Sequence, residues 1–293
     1  MVSIPKCCIK GDIVIPNPSL IFALYMTISI LGCGWYGLAL AKAYIADEAM
    51  VKGSTTSAEK LALLEAEGIA PYLIDLAEEI SINHRDFFTC DMLVIAIPPK
   101  SRSGEGEAYV VKMQHVVDAI NKYEVKKVIL ISSTGVYADL NREVTEQTDP
   151  QPNTPSGQIL LQAEEIFRQQ ITLKTTIIRF GGLIGPGRDP GRFFAEKKDI
   201  ANGLAPINLI HLYDCIGITK AIITQGVFSQ TINACTPHHP TRLDFYTQAA
   251  AKAGLVRPEF IPELKEWKII NSVAVGESLQ YAYQINSWFD WLA

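Results

Sequence analysis

Short apolar runs alternate with longer stretches in which apolar residues recur at helical spacing along the first 180 residues. The apolar runs predict six strands, at Thr27–Leu31, Met50–Gly53, Pro71–Ile74, Met92–Ile97, Lys127–Ser132 and Thr175–Phe180. Helices are predicted between them, at about Trp35–Ala46, Ala58–Glu67 and Glu107–Lys122. Strands and helices that alternate in this way are typical of an α/β protein with a doubly wound parallel sheet, covered by helices on both faces.

The pattern changes after residue 180, where glycine and proline become frequent and the elements shorten. Because ligands bind at the carboxyl ends of the strands in doubly wound sheets, we expect two regions. Residues 27–180 would form the sheet domain, and residues 181–293 would form a smaller lobe on the substrate side. Residues 1–26 contain two prolines and an asparagine within their apolar stretch, and no small-residue cleavage site follows. We favour an extension outside the core over a targeting signal.

The first predicted strand runs into a G-x-G-x-x-G turn and a helix. Gly32 would permit the tight turn, Gly34 would let a diphosphate approach the backbone, and Gly37 would let the helix pack closely. The helix N-terminus, at Trp35 and Tyr36, would offer N–H groups to the phosphates. This context predicts a Rossmann fold that binds a dinucleotide. The alternative is a structural glycine turn in an unrelated α/β protein.

The end of the second strand bears on which nicotinamide cofactor fits. An NAD site usually has Asp or Glu there to bind the ribose 2′-hydroxyl, but this chain has Ser54, Thr55 and Thr56. Hydroxyls with Lys52 or Lys60 nearby would accept a 2′-phosphate, so we favour NADP over NAD. The alternative is that the hydroxyls cap the next helix.

Two further strand ends are candidates for cofactor contact. Asp75 and Leu76 follow the third strand, where side chains can reach the adenine, although a solvent-facing turn is the alternative. Ile97, Pro98 and Pro99 close the fourth strand. Because proline cannot continue a strand, the chain must turn there, along the expected path of the cofactor.

Composition excludes several classes of partner. The chain has 26 Lys and Arg against 31 Asp and Glu, a net charge of −5, which argues against nucleic acid or an anionic membrane. Its six cysteines form no C-x-x-C pair, and none lies near histidine at metal-ligand spacing. We therefore expect a reduced, cytoplasmic protein without a structural metal.

Three later segments carry a resemblance to a known family. Ser132–Tyr137 reads S-S-T-G-V-Y, Thr176–Gly187 reads TIIRFGGLIGPG and Asn208–Asp214 reads NLIHLYD. In this order they resemble segments of the extended short-chain dehydrogenases/reductases, the NAD-dependent epimerase/dehydratase family. The G-C-G-W-Y-G turn, with I-P-P after the fourth strand, resembles the atypical YeeZ-like subgroup. The resemblance runs from Thr27 to the C-terminus.

The resemblance implies roles for residues at the end of the fifth strand. Ser133 matches the family's catalytic Ser/Thr, whose hydroxyl binds a substrate oxygen beside the nicotinamide. Thr134 and Tyr137 would help to orient that oxygen, and Ser132 would lie at the cofactor. Relatives often dimerise through the helices that flank this strand, so a homodimer is one option.

The family's acid/base pair, Tyr and Lys in Y-x-x-x-K, does not occur in its usual place. With Pro155 and Glu164 aligned, Ser156 stands where Tyr is expected and Leu160 where Lys is expected. A different Y-x-x-x-K, at 123–127, precedes the fifth strand and would lie at the opposite edge of the sheet. We expect it to have no catalytic role.

Residues of the second region supply the substrate candidates. Arg188 and Arg192 follow the Gly-Pro-Gly turn, where they could hold an anionic group. His211 lies in the I-H-x-x-D segment with Asp214, and a packing pair is the alternative there. The sequence favours an NAD(P)-binding oxidoreductase or epimerase that acts on a small polar or sugar-like molecule. The alternative is a non-catalytic NAD(P)-binding sensor.

Overall fold

The computed structural model describes residues 26–99 and 106–293. Seven parallel strands form one sheet in the order β3-β2-β1-β4-β5-β7-β10. They are β1 (Thr27–Leu31), β2 (Met50–Thr55), β3 (Ala70–Leu73), β4 (Met92–Ile95), β5 (Lys127–Ser133), β7 (Lys174–Phe180) and β10 (Thr231–Ala234). Two short parallel pairs lie outside it: β6 (Arg142–Val144) with β11 (Lys268–Ile270), and β8 (Gly182–Ile184) with β9 (Leu209–His211).

Helices cover both faces of the sheet. They are α1 (Trp35–Ala46), α2 (Leu61–Ala66), α3 (Arg85–Phe88), α4 (Gly106–Lys122), α5 (Pro155–Arg168), α6 (Leu212–Gln225), α7 (Arg242–Lys252), α8 (Val273–Glu277) and α9 (Trp288–Leu292). One apolar core lies between the sheet and α1 with α6, and a second lies between the sheet and α4 with α5. A third, smaller core packs α7 and α9 against β9. Across the described ranges, no helix has both the length and the apolar character needed to cross a membrane.

The predicted strands all occur, with ends that shift by one or two residues. The sheet takes its seventh strand, β10, from the region predicted to be a separate lobe, and α6 of that region covers the sheet. The predicted division after residue 180 is therefore not a division of the sheet. The predicted N-terminal extension lies outside the described residues, apart from Met26.

A buried ion pair joins α5 to the centre of the sheet. Arg179 on β7 donates from Nε to one carboxylate oxygen of Glu164 at 3.0 Å and from Nη2 to the other at 2.6 Å. Ser132 and Arg168 also donate to this carboxylate, at 2.6 and 2.7 Å. Glu164 and Arg179 are both buried, so water cannot solvate their charges. These hydrogen bonds and the opposite charge of the partner stabilise them instead.

We expect Glu164→Gln to lower the free energy of unfolding by about 3 kcal/mol, because the change leaves the Arg179 guanidinium buried without a counter-charge. Urea unfolding at neutral pH measures this loss. Glu165→Gln is the matched control, since Glu165 is exposed on the same helix, and it should cost less than about 0.5 kcal/mol. Equal losses in the two variants would contradict the assignment.

Candidate functional site

The turn between β1 and α1 is shaped by its three glycines. Gly32 has a backbone φ of +102°, which residues with a side chain rarely adopt. A Cβ on Gly37 would lie 2.2 Å from the carbonyl oxygen of Gly32, so α1 can approach the turn this closely only with glycine at that position. A Cβ on Gly34 would meet no atom within 4 Å. The space over Gly34 is thus open, and it lies at the N-terminus of α1, where a helix favours a phosphate group.

Ser54 ties this turn to β2. Its hydroxyl accepts a hydrogen bond from the Gly32 N–H at 2.9 Å, and its carbonyl accepts one from the Cys33 N–H at 2.8 Å. The hydroxyl predicted to contact the cofactor therefore supports the turn itself. Burial raises the pKa of the Cys33 thiol to about 12, which keeps this thiol protonated and unreactive at neutral pH.

A cavity of about 310 Å³ opens at the carboxyl ends of β1 to β4. Ten of the fourteen residues predicted to bind the cofactor line it: Gly32, Gly34, Ser54, Thr55, Thr56, Asp75, Leu76, Ile97, Pro98 and Pro99. Four separate strand ends thus converge on one space, which is where doubly wound sheets bind their ligands.

Of the two lysines that the sequence suggested for a 2′-phosphate, only Lys60 lines this cavity in the described residues. Lys52 donates to the backbone oxygens of Asp86 at 2.5 Å and Thr89 at 3.1 Å, and it pairs with the Asp86 carboxylate at 3.0 Å. Lys52 was therefore a wrong candidate for a 2′-phosphate contact, because α3 holds its ammonium group. Lys60 does line the cavity, and Lys112 lines it from α4.

Tyr109 and Lys112 were missed by the sequence analysis. They are three residues apart and so lie on one face of α4, which turns them both toward the cavity. The Tyr109 hydroxyl donates to the carbonyl oxygen of Ile97 at 3.2 Å, and burial raises the pKa of its phenol, which stays neutral. The available signal was the position of both residues near the start of the helix that follows β4.

The side chains of Trp35 and Tyr36 contact groups outside the cavity lining. The Tyr36 hydroxyl shares a hydrogen bond with that of Thr219 at 2.7 Å, and its ring packs edge-on against Phe180. At the turn, Tyr36 therefore offers its backbone N–H rather than its hydroxyl. The Trp35 indole donates to the carbonyl oxygen of Pro186 at 2.6 Å.

Ser133, at the end of β5, is more exposed than the hydroxyl residues around it. Ser132, Thr134 and Tyr137 are buried, whereas Ser133 is half-buried. The Ser133 hydroxyl accepts a hydrogen bond from the Gly135 N–H at 3.1 Å, and it keeps a proton to donate. Ser132 donates to Glu164, and the Tyr137 hydroxyl accepts from Arg179 at 2.5 Å.

The first turn of α5 lies against the loop that follows Ser133. A Cβ on Gly157 would be 2.3 Å from the carbonyl oxygen of Gly135, so the two segments touch. Leu160, one turn later, is buried in the core shared with α4. Ser156 is half-buried in the first turn itself. The helix that carries these two positions is therefore held beside the end of β5.

The three substrate candidates occupy different environments. Arg188 is exposed, and its guanidinium stacks over the Trp35 ring, 4.3 Å from the centroid. Arg192 is 76% exposed and lies 3.8 Å from the carboxylate of Asp189. His211 is buried, and its Nδ1 accepts a hydrogen bond from the Tyr213 N–H at 3.2 Å, which caps α6. Of the three, Arg188 contacts a residue of the glycine turn.

The Asp214 carboxylate, at the start of α6, holds the C-terminal segment. It accepts hydrogen bonds from the N–H groups of Gln284 at 2.7 Å and Ile285 at 3.2 Å, and from the Tyr281 hydroxyl at 3.0 Å. These contacts, together with the helix cap formed by His211, favour the packing alternative for this pair.

Comparison with known proteins assigns the chain to a family. A family model described as NAD(P)H-binding matches residues 32–205. The chain belongs to this NAD(P)H-binding family. Protein YeeZ of Escherichia coli strain K12 is 35% identical over 263 residues, which cover 88% of this chain and 95% of YeeZ. The predicted resemblance to the YeeZ-like subgroup is confirmed.

Solved structures share the fold. UDP-glucuronic acid 4-epimerase from Bacillus cereus, in complex with NAD, matches with a TM-score of 0.75 at 19% identity, over 91% of this chain and 96% of that one. UDP-N-acetylglucosamine 4-epimerase from the same organism matches with a TM-score of 0.74 at 17% identity, over 91% and 95%. The predicted doubly wound parallel sheet is confirmed.

Two alanine substitutions should separate the roles of the turn glycines. We expect Gly37→Ala to destabilise the fold by more than about 2 kcal/mol, because its Cβ would overlap the Gly32 carbonyl. Gly34→Ala should fold with near wild-type stability, because its Cβ meets open space, and yet weaken NADPH binding at least tenfold. Thermal unfolding and the fluorescence of the reduced nicotinamide give the two readouts. If Gly34→Ala binds NADPH with wild-type affinity, the space over Gly34 does not hold the diphosphate.

His211 gives a prediction about pH. Burial lowers the pKa of its imidazole, so the unfolded chain binds a proton near pH 6.5 that the folded chain does not. The stability that depends on neutral His211 is therefore lost as the pH falls below about 6.5. His211→Asn keeps a capping oxygen and removes the titration. We expect the free energy of unfolding to fall less between pH 7.5 and 5.5 in this variant than in the wild type; equal falls would be evidence against the shift.

Proposed function

We propose that this chain binds NADP(H) in the cavity at the carboxyl ends of β1 to β4. The observation that carries the proposal is the open space over Gly34 at the N-terminus of α1, which continues into a cavity lined by Thr56 and Lys60. The diphosphate would lie over Gly34, and Lys60 with the hydroxyl of Thr56 would receive the 2′-phosphate. Asp75 would lie at the adenine. The lack of an acidic residue at the end of β2 supports NADP over NAD.

We propose further that the chain is an oxidoreductase or epimerase. The nicotinamide, when bound, supplies a hydride acceptor or donor. Ser133 would donate a hydrogen bond to a substrate oxygen, since its hydroxyl is the one at the end of β5 that is not buried. The substrate class is a small polar or sugar-like molecule. The names of the solved epimerases, which specify UDP-sugars, support this class.

At the position where the family has its proton-transferring Tyr, this chain has Ser156. A positioned acid or base contributes about 10²- to 10⁴-fold to a rate, and Ser156 cannot act as the Tyr of the family does. Tyr137 does not replace it, because its side chain is buried and its hydroxyl forms hydrogen bonds with Arg179 and Asn233. Turnover should therefore be slow unless the substrate supplies its own acidic group.

The lack of the family's Tyr and Lys also favours a second candidate, a non-catalytic sensor of NAD(P). The first turn of α5 packs against the loop after β5, and neither Ser156 nor Leu160 offers a phenol or an amine there. A protein of this kind would bind the cofactor and transfer no hydride.

A turnover screen distinguishes the two candidates. NADPH oxidation with carbonyl substrates and NADP⁺ reduction with nucleotide sugars are followed at the absorbance of the reduced nicotinamide, in the wild type and in Ser133→Ala. Because epimerisation returns the hydride and leaves this absorbance unchanged, the nucleotide sugars are also analysed for the epimeric product by chromatography. The enzyme proposal expects turnover that falls at least tenfold in Ser133→Ala while NADPH affinity is unchanged. Turnover that appears only in the double variant Ser156→Tyr with Leu160→Lys, or in neither protein, supports the sensor.

The preference for NADP should depend on Lys60. We expect Lys60→Gln to raise the Kd for NADPH about tenfold, the value of one charge-assisted contact to phosphate, and to leave the Kd for NADH unchanged. Lys42→Gln is the matched control, because Lys42 is exposed and paired with Glu67 away from the cavity. An equal change in both Kd values would contradict the 2′-phosphate assignment.

A further inference from the structure

A tight hairpin at residues 185–188, called here the 185–188 hairpin, meets the glycine turn through Trp35. Gly185 and Arg188 exchange backbone hydrogen bonds of 3.3 and 2.8 Å, and Gly187 has a φ of +76° at the tip. The carbonyl oxygen of Pro186 accepts the indole N–H of Trp35 at 2.6 Å. The hairpin is thus joined to the first residue of α1, although 150 residues separate them in sequence.

The base of this hairpin is fixed on its other side. It follows β8, which pairs with β9, and a Cβ on Gly185 would lie 3.0 Å from the Cβ of Leu212 and 3.3 Å from Nε2 of His211. The hairpin therefore rests against the start of α6 as well as against Trp35. Its position relative to α1 is set by contacts at both ends.

Arg188 differs in its partners from Arg192, four residues later. The Arg192 guanidinium lies near the Asp189 carboxylate. No carboxylate within ion-pair distance of Arg188 is found in residues 26–99 and 106–293, and its guanidinium carbon lies over the Trp35 ring, 4.3 Å from the centroid. Stacking on an aromatic ring leaves the N–H groups of the guanidinium edge directed outward in one plane, which suits two oxygens of a phosphate.

We propose that Arg188, stacked on Trp35, is a diphosphate-binding cation beside the N-terminus of α1. The inference rests on the proposed function, since the open space over Gly34 is what brings a diphosphate to this helix. A diphosphate there has two sources, the cofactor and a nucleoside-diphosphate sugar substrate. For the cofactor, the helix N-terminus and the guanidinium would neutralise the charge of the diphosphate from two sides; for a substrate bound beside the cofactor, the guanidinium alone would do so.

Calorimetric titrations of the full chain at low salt test this inference. ADP-ribose carries the diphosphate of the cofactor, adenosine 2′-monophosphate lacks it, and UDP added to protein saturated with NADPH represents the substrate. We expect Arg188→Gln to raise the Kd for ADP-ribose or for UDP about tenfold and to leave the Kd for adenosine 2′-monophosphate unchanged. A rise for ADP-ribose assigns the cofactor as the source, and a rise for UDP assigns the substrate.

Two further variants keep the test independent of folding. Arg192→Gln removes an equal charge nearby and should leave every Kd within twofold. Arg188→Lys retains the charge without the planar stack, and we expect an intermediate Kd for the affected ligand. Unchanged Kd values for both diphosphates in Arg188→Gln would overturn the inference. If the wild type binds neither ADP-ribose nor NADPH, the proposed function itself fails.

Discussion

The contact between Gly37 and the carbonyl group of Gly32 is the constraint on which the site depends. A side chain at residue 37 would overlap that carbonyl group, so glycine there sets how close α1 lies to the end of β1. Three features follow from this closeness. The N-terminus of α1 faces the cavity, Tyr36 reaches Phe180 in the core, and Trp35 meets the 185–188 hairpin. The close contact between these two backbone segments thus positions both the N-terminus of α1 at the cavity and Trp35 at the hairpin.

The residues proposed for cofactor binding and the hydroxyl residues at the end of β5 have separate structural settings. One cavity is surrounded by the glycine turn, the strand ends and Lys60. At the end of β5, by contrast, Ser132 and Tyr137 contact the buried pair of Glu164 and Arg179. Their hydroxyls hold β5, α5 and β7 together, which leaves Ser133 as the hydroxyl that we propose for a substrate.

Much of the fold could be predicted because it depends on local periodicity. The strands and the helix Trp35–Ala46 follow directly from apolar spacing, and the glycine turn follows from its motif. The β10 strand was placed outside the sheet domain, since a strand added after a long insertion has no local signal that joins it to β7. The 3₁₀ turn at Ala58–Lys60 was likewise merged into a longer helix.

The site was less accessible to sequence reasoning, because side-chain contacts between distant segments decide it. Lys52 was a reasonable phosphate ligand by position, but oxygens of Asp86 in α3 and of Thr89 after it hold its ammonium group. Tyr109 and Lys112 reach the cavity only because α4 packs with that face inward. The cap that His211 provides for α6 depends on where β9 ends. Apart from the position of Tyr109 and Lys112 near the start of α4, these contacts leave no pattern along the chain.

The central claim is that the open space over Gly34 binds a nicotinamide dinucleotide. Isothermal titration of the wild-type chain with NADPH tests it most directly. The account predicts saturable binding of one NADPH per chain, with a smaller affinity for NADH. The absence of saturable binding for either dinucleotide would contradict it.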